Sequence, residues 1–424
     1  MTLADPTSIA TRSDGVADRQ RRTEKPARVR DLRLDFFRGI AMFIILFAHT
    51  PGNFFTMWIP ARWGFSDATE IFVFCSGMAS AIAFGATYDR VGFALGTARV
   101  SYRVWQVYWA HVGLFAATVA LVVFLTDLGM TEKNYWGALN LWPLFVEDDL
   151  WANENIWLSF MTLSYVPNYF DILPMYMIVL VMMPVVMALS RINLWLVAAF
   201  IAATWLMGQR AFTGPLGLPH FNFTAEPWLK KDGSQREWFF NPFGWQLIFF
   251  TGFAFMRGWL PKPPVTPLLI GLALALVLIN VPLSHVGMRE LGFDWARDWR
   301  IANRPLITKS DFGILRYAHF LALAYLCWVA AGDKGSRLVA KGTGLPARIW
   351  QRILTLVLKV GQQSLAVFVV SMFLARVSGF VMDVLGRDTW TVAAVNIAGM
   401  GVLVLTAYLT SWFKSQPWRN QRAT

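Results

Sequence analysis

The 424-residue chain carries only two cysteines, Cys75 and Cys327, and both lie inside apolar runs. No disulfide framework follows from them, and they say nothing about redox compartment. Charged residues are scarce as well, at 15%, against about 25% for a soluble chain. The five histidines are scattered without the spacing of metal ligands, so no metal is expected. No nucleophile elbow, Walker loop or HExxH motif occurs, and no dinucleotide fingerprint has a strand beside it. The first 30-odd residues, polar and basic, lack the apolar core and small-residue cleavage site of a secretory signal.

Apolar residues fill the space these absences leave. The chain is 56% hydrophobic and 15% aromatic, with 21 Trp and 34 Phe. Apolar runs of ~20 residues recur along it, each long enough to cross a ~30 Å hydrocarbon core as a helix. The expectation is an all-α, polytopic membrane protein of about ten transmembrane helices. They fall near 36–54, 67–88, 104–126, 170–190, 192–209, 241–259, 266–284, 311–331, 358–378 and 391–411. Residues 1–33 read as a disordered basic cytoplasmic tail, 34–413 as one membrane domain and 414–424 as a second short tail.

The net charge of +12 gathers in particular inter-helix segments, which argues for membrane topology and against nucleic acid. Eight Lys or Arg precede or include Arg33; Arg90, Arg99 and Arg103 follow the second span. Lys334, Arg337, Lys341, Arg348 and Arg352 lie in 332–357, and Lys414, Arg419 and Arg422 at the end. These alternate with loops of mixed or acidic character such as 127–169, which places both termini in the cytoplasm. The long outer loops 127–169, 209–240 and 285–310 carry Trp and Pro among polar residues. They suit either an interfacial layer or a lid over an outward-facing pocket.

Ionisable groups within spans are costly and usually functional. At 1.5 Å per residue, His49 lies roughly 16 Å beyond Arg38 along the first span, in its outer half. Spans entering from outside place Asp67 and Glu70, Asp171, Asn241, Trp245 and Gln246, and Asp311, Arg316 and His319 at similar depth. An aspartate at a helix start is often only a cap; the coincidence of all these groups with His49 points to one outward-open cavity. Arg38, Arg99 and Arg103 gather at the inner side, as topology anchors or as guanidinium forks for phosphate. His111 reads as a core histidine.

The stretch LDFFRGIAMFIILFAH, with Arg38, ten residues, then His49, resembles the first span of the integral-membrane acyltransferase superfamily. SDATEIFVFCSGMASAIAFG and RVSYRVWQVYWAH are similar to its second and third spans. More closely, RDLRLDFFRGIAMF, GFSDATEIFVFCSG, YFDILPMYM, FNPFGWQLIFFTGFAF, RYAHFLALAYL and GQQSLAVFVVS resemble blocks of the OpgC family, over roughly residues 30 to 410. That resemblance implies a multi-pass enzyme of the bacterial inner membrane. It would take an acyl group, succinyl in that family, from cytosolic acyl-CoA and deliver it to hydroxyls of periplasmic glucans. It further implies His49 as the catalytic residue, with Arg38 in the same pattern.

Acyl transfer needs a base, oxyanion donors and a binder for the phosphates of coenzyme A. His49 suits the base, with Asp67, Glu70 or Asp171 to orient its ring. Asp171, Asn241, Trp245, Gln246, Arg316 and His319 are the candidate acceptor contacts, and Arg316 is the expected cation for a succinyl carboxylate. Arg38, Arg99 and Arg103 are the candidates for binding acyl-CoA. Expected partners are acyl-CoA, a periplasmic glucan and the lipid bilayer; a homo-oligomer is left open. The competing readings are an O-acetyltransferase of lipopolysaccharide or another surface glycan, and a transporter of a glycan or lipid.

Overall fold

The computed structural model describes residues 31–422; most of the basic tail expected over 1–33 lies outside them. Among the described residues the fold is helical, with a single isolated bridge between Thr224 and Glu237. Eleven longer helices frame it, with shorter helical segments between them: α1 (Arg33–His49), α2 (Ala68–Val91), α3 (Phe93–Asp127), α4 (Ile172–Ile192), α5 (Leu194–Met207), α6 (Pro242–Arg257), α7 (Pro267–Ile279), α8 (Ile314–Ala331), α9 (Leu345–Gln362), α10 (Ser364–Leu385) and α11 (Thr389–Ser415). Six of them, α2, α3, α4, α8, α10 and the α11 segment, are long and apolar enough to cross a membrane. The helices α5 and α7 are apolar but shorter, and α1, of 17 residues, spans only ~25 Å.

Each of the ten expected segments contains one of these helices, but two boundaries move. α3 begins at Phe93, so the expected 88–103 loop is largely helical. The expected loop over 332–357 contains α9, and the helix assigned to 358–378 runs from Ser364 to Leu385 instead. Arg348, Arg352 and Lys359 interrupt the apolar run of α9, which hides it from a hydropathy reading. Its apolar residues nevertheless recur with helical period, and Leu354, Val357, Val360 and Gly361 are buried.

Helix starts follow from local chemistry. Asp67 closes a capping box on α2, its carboxylate accepting from Thr69 N at 2.7 Å while Glu70 accepts from Asp67 N at 2.8 Å. Asn241 caps α6 ahead of Pro242 at the first helical position, and Asp388 caps α11.

Two close crossings fix the centre. A Cβ on Gly39 would lie 2.1 Å from the Val357 carbonyl oxygen, and one on Gly361 would lie 1.9 Å from that of Asp35. α1 and α9 therefore touch backbone to backbone. Gly77 and Gly252 do the same for α2 and α6, at 1.9 Å from Phe249 O and 2.3 Å from Phe74 O. Small residues that let helix backbones meet are the usual packing device in lipid, where apolar side chains gain nothing by leaving an apolar solvent. α10 packs on both α1 and α11, and α3 on α4, around this core.

The 127–169 and 209–240 loops interlock. Arg236 donates to Glu226 at 2.7 Å, to the Val166 carbonyl at 2.6 Å and to Asn168 Oδ1 at 3.0 Å. Tyr165 donates to the Asn140 carbonyl at 2.9 Å, and Trp228 lies against both Trp151 and Tyr165. Such a network favours a structured lid over a loose interfacial layer, and its last residues lead directly to the site.

Candidate active site

His49 is the last residue of α1. Its Nδ1 lies 2.8 Å from the Ile45 carbonyl oxygen, one turn back. A carbonyl can only accept, so in the neutral ring Nδ1 carries the proton and Nε2 keeps the lone pair. Tyr169, from the end of the lid, meets the imidazole edge to face at 5.4 Å. The Tyr169 backbone sits in the left-handed region at φ 87°, a conformation costing about 1–3 kcal/mol for a bulky residue. Its hydroxyl donates to the Met372 carbonyl on α10, and Arg376, one turn along that helix, lies over its ring at 4.3 Å. Arg376 also donates to the His49 carbonyl.

The turn after His49 is held from the same side. Arg387 donates to the Pro51 carbonyl at 2.5 Å, and Asn53 and Asn396 exchange amide hydrogen bonds at 2.8 and 3.1 Å. A Cβ on Gly379 would lie 2.7 Å from the Pro51 ring. α10 and α11 thus fix the end of α1 and the ring it carries.

Lys309, Arg376 and Asp67 are all within electrostatic reach of the imidazole. Asp67 is paired with Lys309, and the fully buried Glu70 with Arg316 at 2.5 Å. Arg316 and Lys309 both reach Asp67 and Glu70, so these residues form one cluster with His49. The expected carboxylate on the His49 ring is replaced by the Ile45 carbonyl, because Asp67 and Glu70 are engaged by the two cations.

Buried His319 joins through Ser66, whose hydroxyl lies 2.7 Å from His319 Nδ1. Asn241 and Trp245 act at one remove. The Trp245 indole donates to the Lys309 carbonyl at 2.9 Å, and the Asn241 amide to Asp311 at 3.0 Å. Both residues are fully buried and shape the loop that presents Lys309. Gln246 bonds the Ile201 carbonyl at 2.8 Å and Thr204 at 3.0 Å, joining α6 to α5 away from the cluster. Asp171 is buried at the start of α4, where it accepts from Phe239 N at 3.4 Å. His111 is fully buried between Phe160 and Phe170, without a polar partner on either ring nitrogen.

At the other end of α1, Arg38 donates to Ser364 and lies within electrostatic reach of Asp35 and Arg103. Lys414 reaches both Arg38 and Arg103 and donates to Gln363 at 2.7 Å. Arg99 instead donates to Thr87 at 2.6 Å. The structure joins Arg38, Arg103 and Lys414, the last not foreseen as part of a site.

Sequence reasoning also missed Tyr169, Lys309, Arg376, Arg387 and Asn396. Arg376 is the one with a visible signal, since it is a lone cation within an apolar run. Among the described residues no group of three His, Cys, Asp or Glu side chains could hold a metal ion.

The arrangement offers a histidine with one open nitrogen beside a cluster of buried charges, and a separate cationic patch roughly 16 Å away along α1. No curated protein matches the chain, and no solved structure does. A family model described as OpgC protein matches residues 30–415. With its apolar, membrane-length helices and nearly its whole length inside that match, the chain belongs to the OpgC protein family.

Proposed function

We propose that the protein is an inner-membrane O-acyltransferase that moves a succinyl group from cytosolic acyl-CoA to hydroxyls of a periplasmic glucan. The observation that carries the reading is His49, with Nδ1 tied to Ile45 and Nε2 left for proton transfer. Nε2 takes the proton from the acceptor hydroxyl as its oxygen attacks the thioester carbonyl. A C–O bond forms, the C–S bond breaks, and the proton returns to the leaving thiolate to give free coenzyme A. Arg38, Arg103 and Lys414 would hold the phosphates of acyl-CoA; the hydrogen bonds they make to Ser364, Gln106 and Gln363 go to neutral groups and leave N–H donors for an anion.

The ten-span topology with both termini in the cytoplasm belongs to this reading. It places the Arg38 end at the cytosol and the His49 end, under the lid, toward the periplasm, and an extended pantetheine arm would bridge the distance between them. Neither an O-acetyltransferase of lipopolysaccharide nor a transporter draws specific support, and the family match weighs against transport.

The test is mass spectrometry of periplasmic glucans from a deletion strain complemented with wild type or His49→Ala. Succinyl mass restored by wild type alone is the expected result. Glucans unchanged by the deletion would end the glucan reading.

A further inference from the structure

We infer that Arg376 binds the free carboxylate of the transferred acyl group and so selects dicarboxylic over neutral acyl donors; the inference rests on the acyltransferase reading above. Three cations surround His49 and its neighbours. Lys309 is neutralised by Asp67 and Arg316 by Glu70. Arg376 is different: among the described residues no carboxylate lies within ion-pair distance of it. Its guanidinium donates to the His49 carbonyl and covers the Tyr169 ring at 4.3 Å, while its Nε is buried without a partner.

A guanidinium has five N–H donors, and the His49 carbonyl with the Tyr169 hydroxyl and ring face, all neutral, leaves part of that capacity unused. Half-buried Arg376 has given up part of its hydration without gaining a counter-charge, and that carries a cost. The cost falls when an anion arrives beside it. An acyl group ending in a carboxylate brings that anion and can meet the fork with two parallel hydrogen bonds. Because Arg376 holds the carbonyl of His49 itself, the bound carboxylate would be anchored next to the reacting histidine. Arg316, the cation expected from the sequence for this task, is already occupied by Glu70.

The test uses the full-length enzyme in lipid nanodiscs with unsubstituted glucan as acceptor, comparing succinyl-CoA with acetyl-CoA. In Arg376→Gln the succinyl-to-acetyl ratio of kcat/KM should fall about 10- to 100-fold, the worth of a charge-assisted hydrogen bond, and mainly through KM. Arg376→Lys should recover part of the ratio. Equal losses for both donors would overturn the inference in favour of oxyanion stabilisation or scaffolding, and an unchanged ratio would overturn it outright. A second measurement needs no variant: wild type should discriminate against succinamoyl-CoA, the neutral amide isostere, by a similar factor. Equal use of the two isosteres would overturn the inference. Wild type that transfers none of these acyl groups would overturn the acyltransferase reading itself, a distinct result.

Discussion

The two ends of the bundle handle positive charge in opposite ways. Around His49, cations rest on carboxylates: Lys309 on Asp67, Arg316 on Glu70, Lys133 and Arg387 on Asp383, and Arg210 on Glu237. Around Arg38 they bond mostly neutral oxygens: Arg38 to Ser364, with Asp35 also within electrostatic reach, Lys414 to Gln363, Lys359 to Ser411, Arg103 to Gln106 and Arg99 to Thr87. At that end Arg33 and Arg257 are paired, with Asp31 and Asp89. A cation held by a hydroxyl keeps most of its field, whereas one held by a carboxylate is cancelled at short range. The His49 end is therefore built largely as a neutral, fixed scaffold, with Arg376 and, beside Arg316, Arg300 resting on backbone carbonyls instead. The Arg38 end keeps net positive charge for an anion of its own.

Breaking the neutral end should have the largest consequences. His49→Ala removes the base and should lower transfer by roughly 10²–10⁴-fold, with membrane expression unchanged, as read by acyl transfer in membranes. A loss under tenfold would remove His49 from the chemistry. Glu70→Gln takes from Arg316 its direct carboxylate partner and leaves only Asp67, already engaged by Lys309, within reach; the loss costs about 2–3 kcal/mol, so the detergent-solubilised protein should unfold at lower temperature. The double variant Glu70→Gln, Arg316→Met should regain much of that loss, because a neutral pair of similar volume carries no stranded charge. If the double variant were as unstable as the single one, packing rather than charge would govern this site.

How much of this was legible beforehand depends on whether the signal was local. Helix rise and motif alone put Asp67, Glu70, Arg316 and His319 near His49, and these groups do cluster, while Arg38 lies at the far end of the same helix. The backbone crossings were not foreseen, since Gly39 with Gly361 and Gly77 with Gly252 are ordinary glycines until the helices are docked. Most of α9 escapes a hydropathy reading because three cations interrupt its apolar residues. Lys309 and Tyr169 sit in loops that only tertiary contacts bring to the site, so no periodicity marks them. Asn241, Trp245 and Gln246, expected to line a cavity, instead bond protein backbone. Polarity at a given depth does not distinguish a residue facing a cavity from one capping a neighbour.

Sharpening the cationic end calls for smaller effects, graded by position. Arg103→Ala should weaken acyl-CoA binding about tenfold, the scale of one lost charged contact, and the loss should shrink as salt is raised, because screening weakens the interaction in wild type as well. Lys414→Ala should act in the same direction, since Lys414 lies within reach of both Arg38 and Arg103. Arg99→Ala is the most discriminating of the three. Arg99 is exposed and spends its guanidinium on Thr87, where α2 meets α3, and not on the Arg38 group. Its removal should change acyl-CoA affinity by less than about twofold, and stability by about 1 kcal/mol or less as one exposed hydrogen bond is lost. Isothermal titration of the three variants with a non-hydrolysable acyl-CoA analogue decides the matter. A tenfold loss in Arg99→Ala would extend the phosphate site one turn along α3 and make the whole basic face of that helix the binding surface. Equal, small effects in all three would instead reduce these cations to anchors in the lipid headgroups.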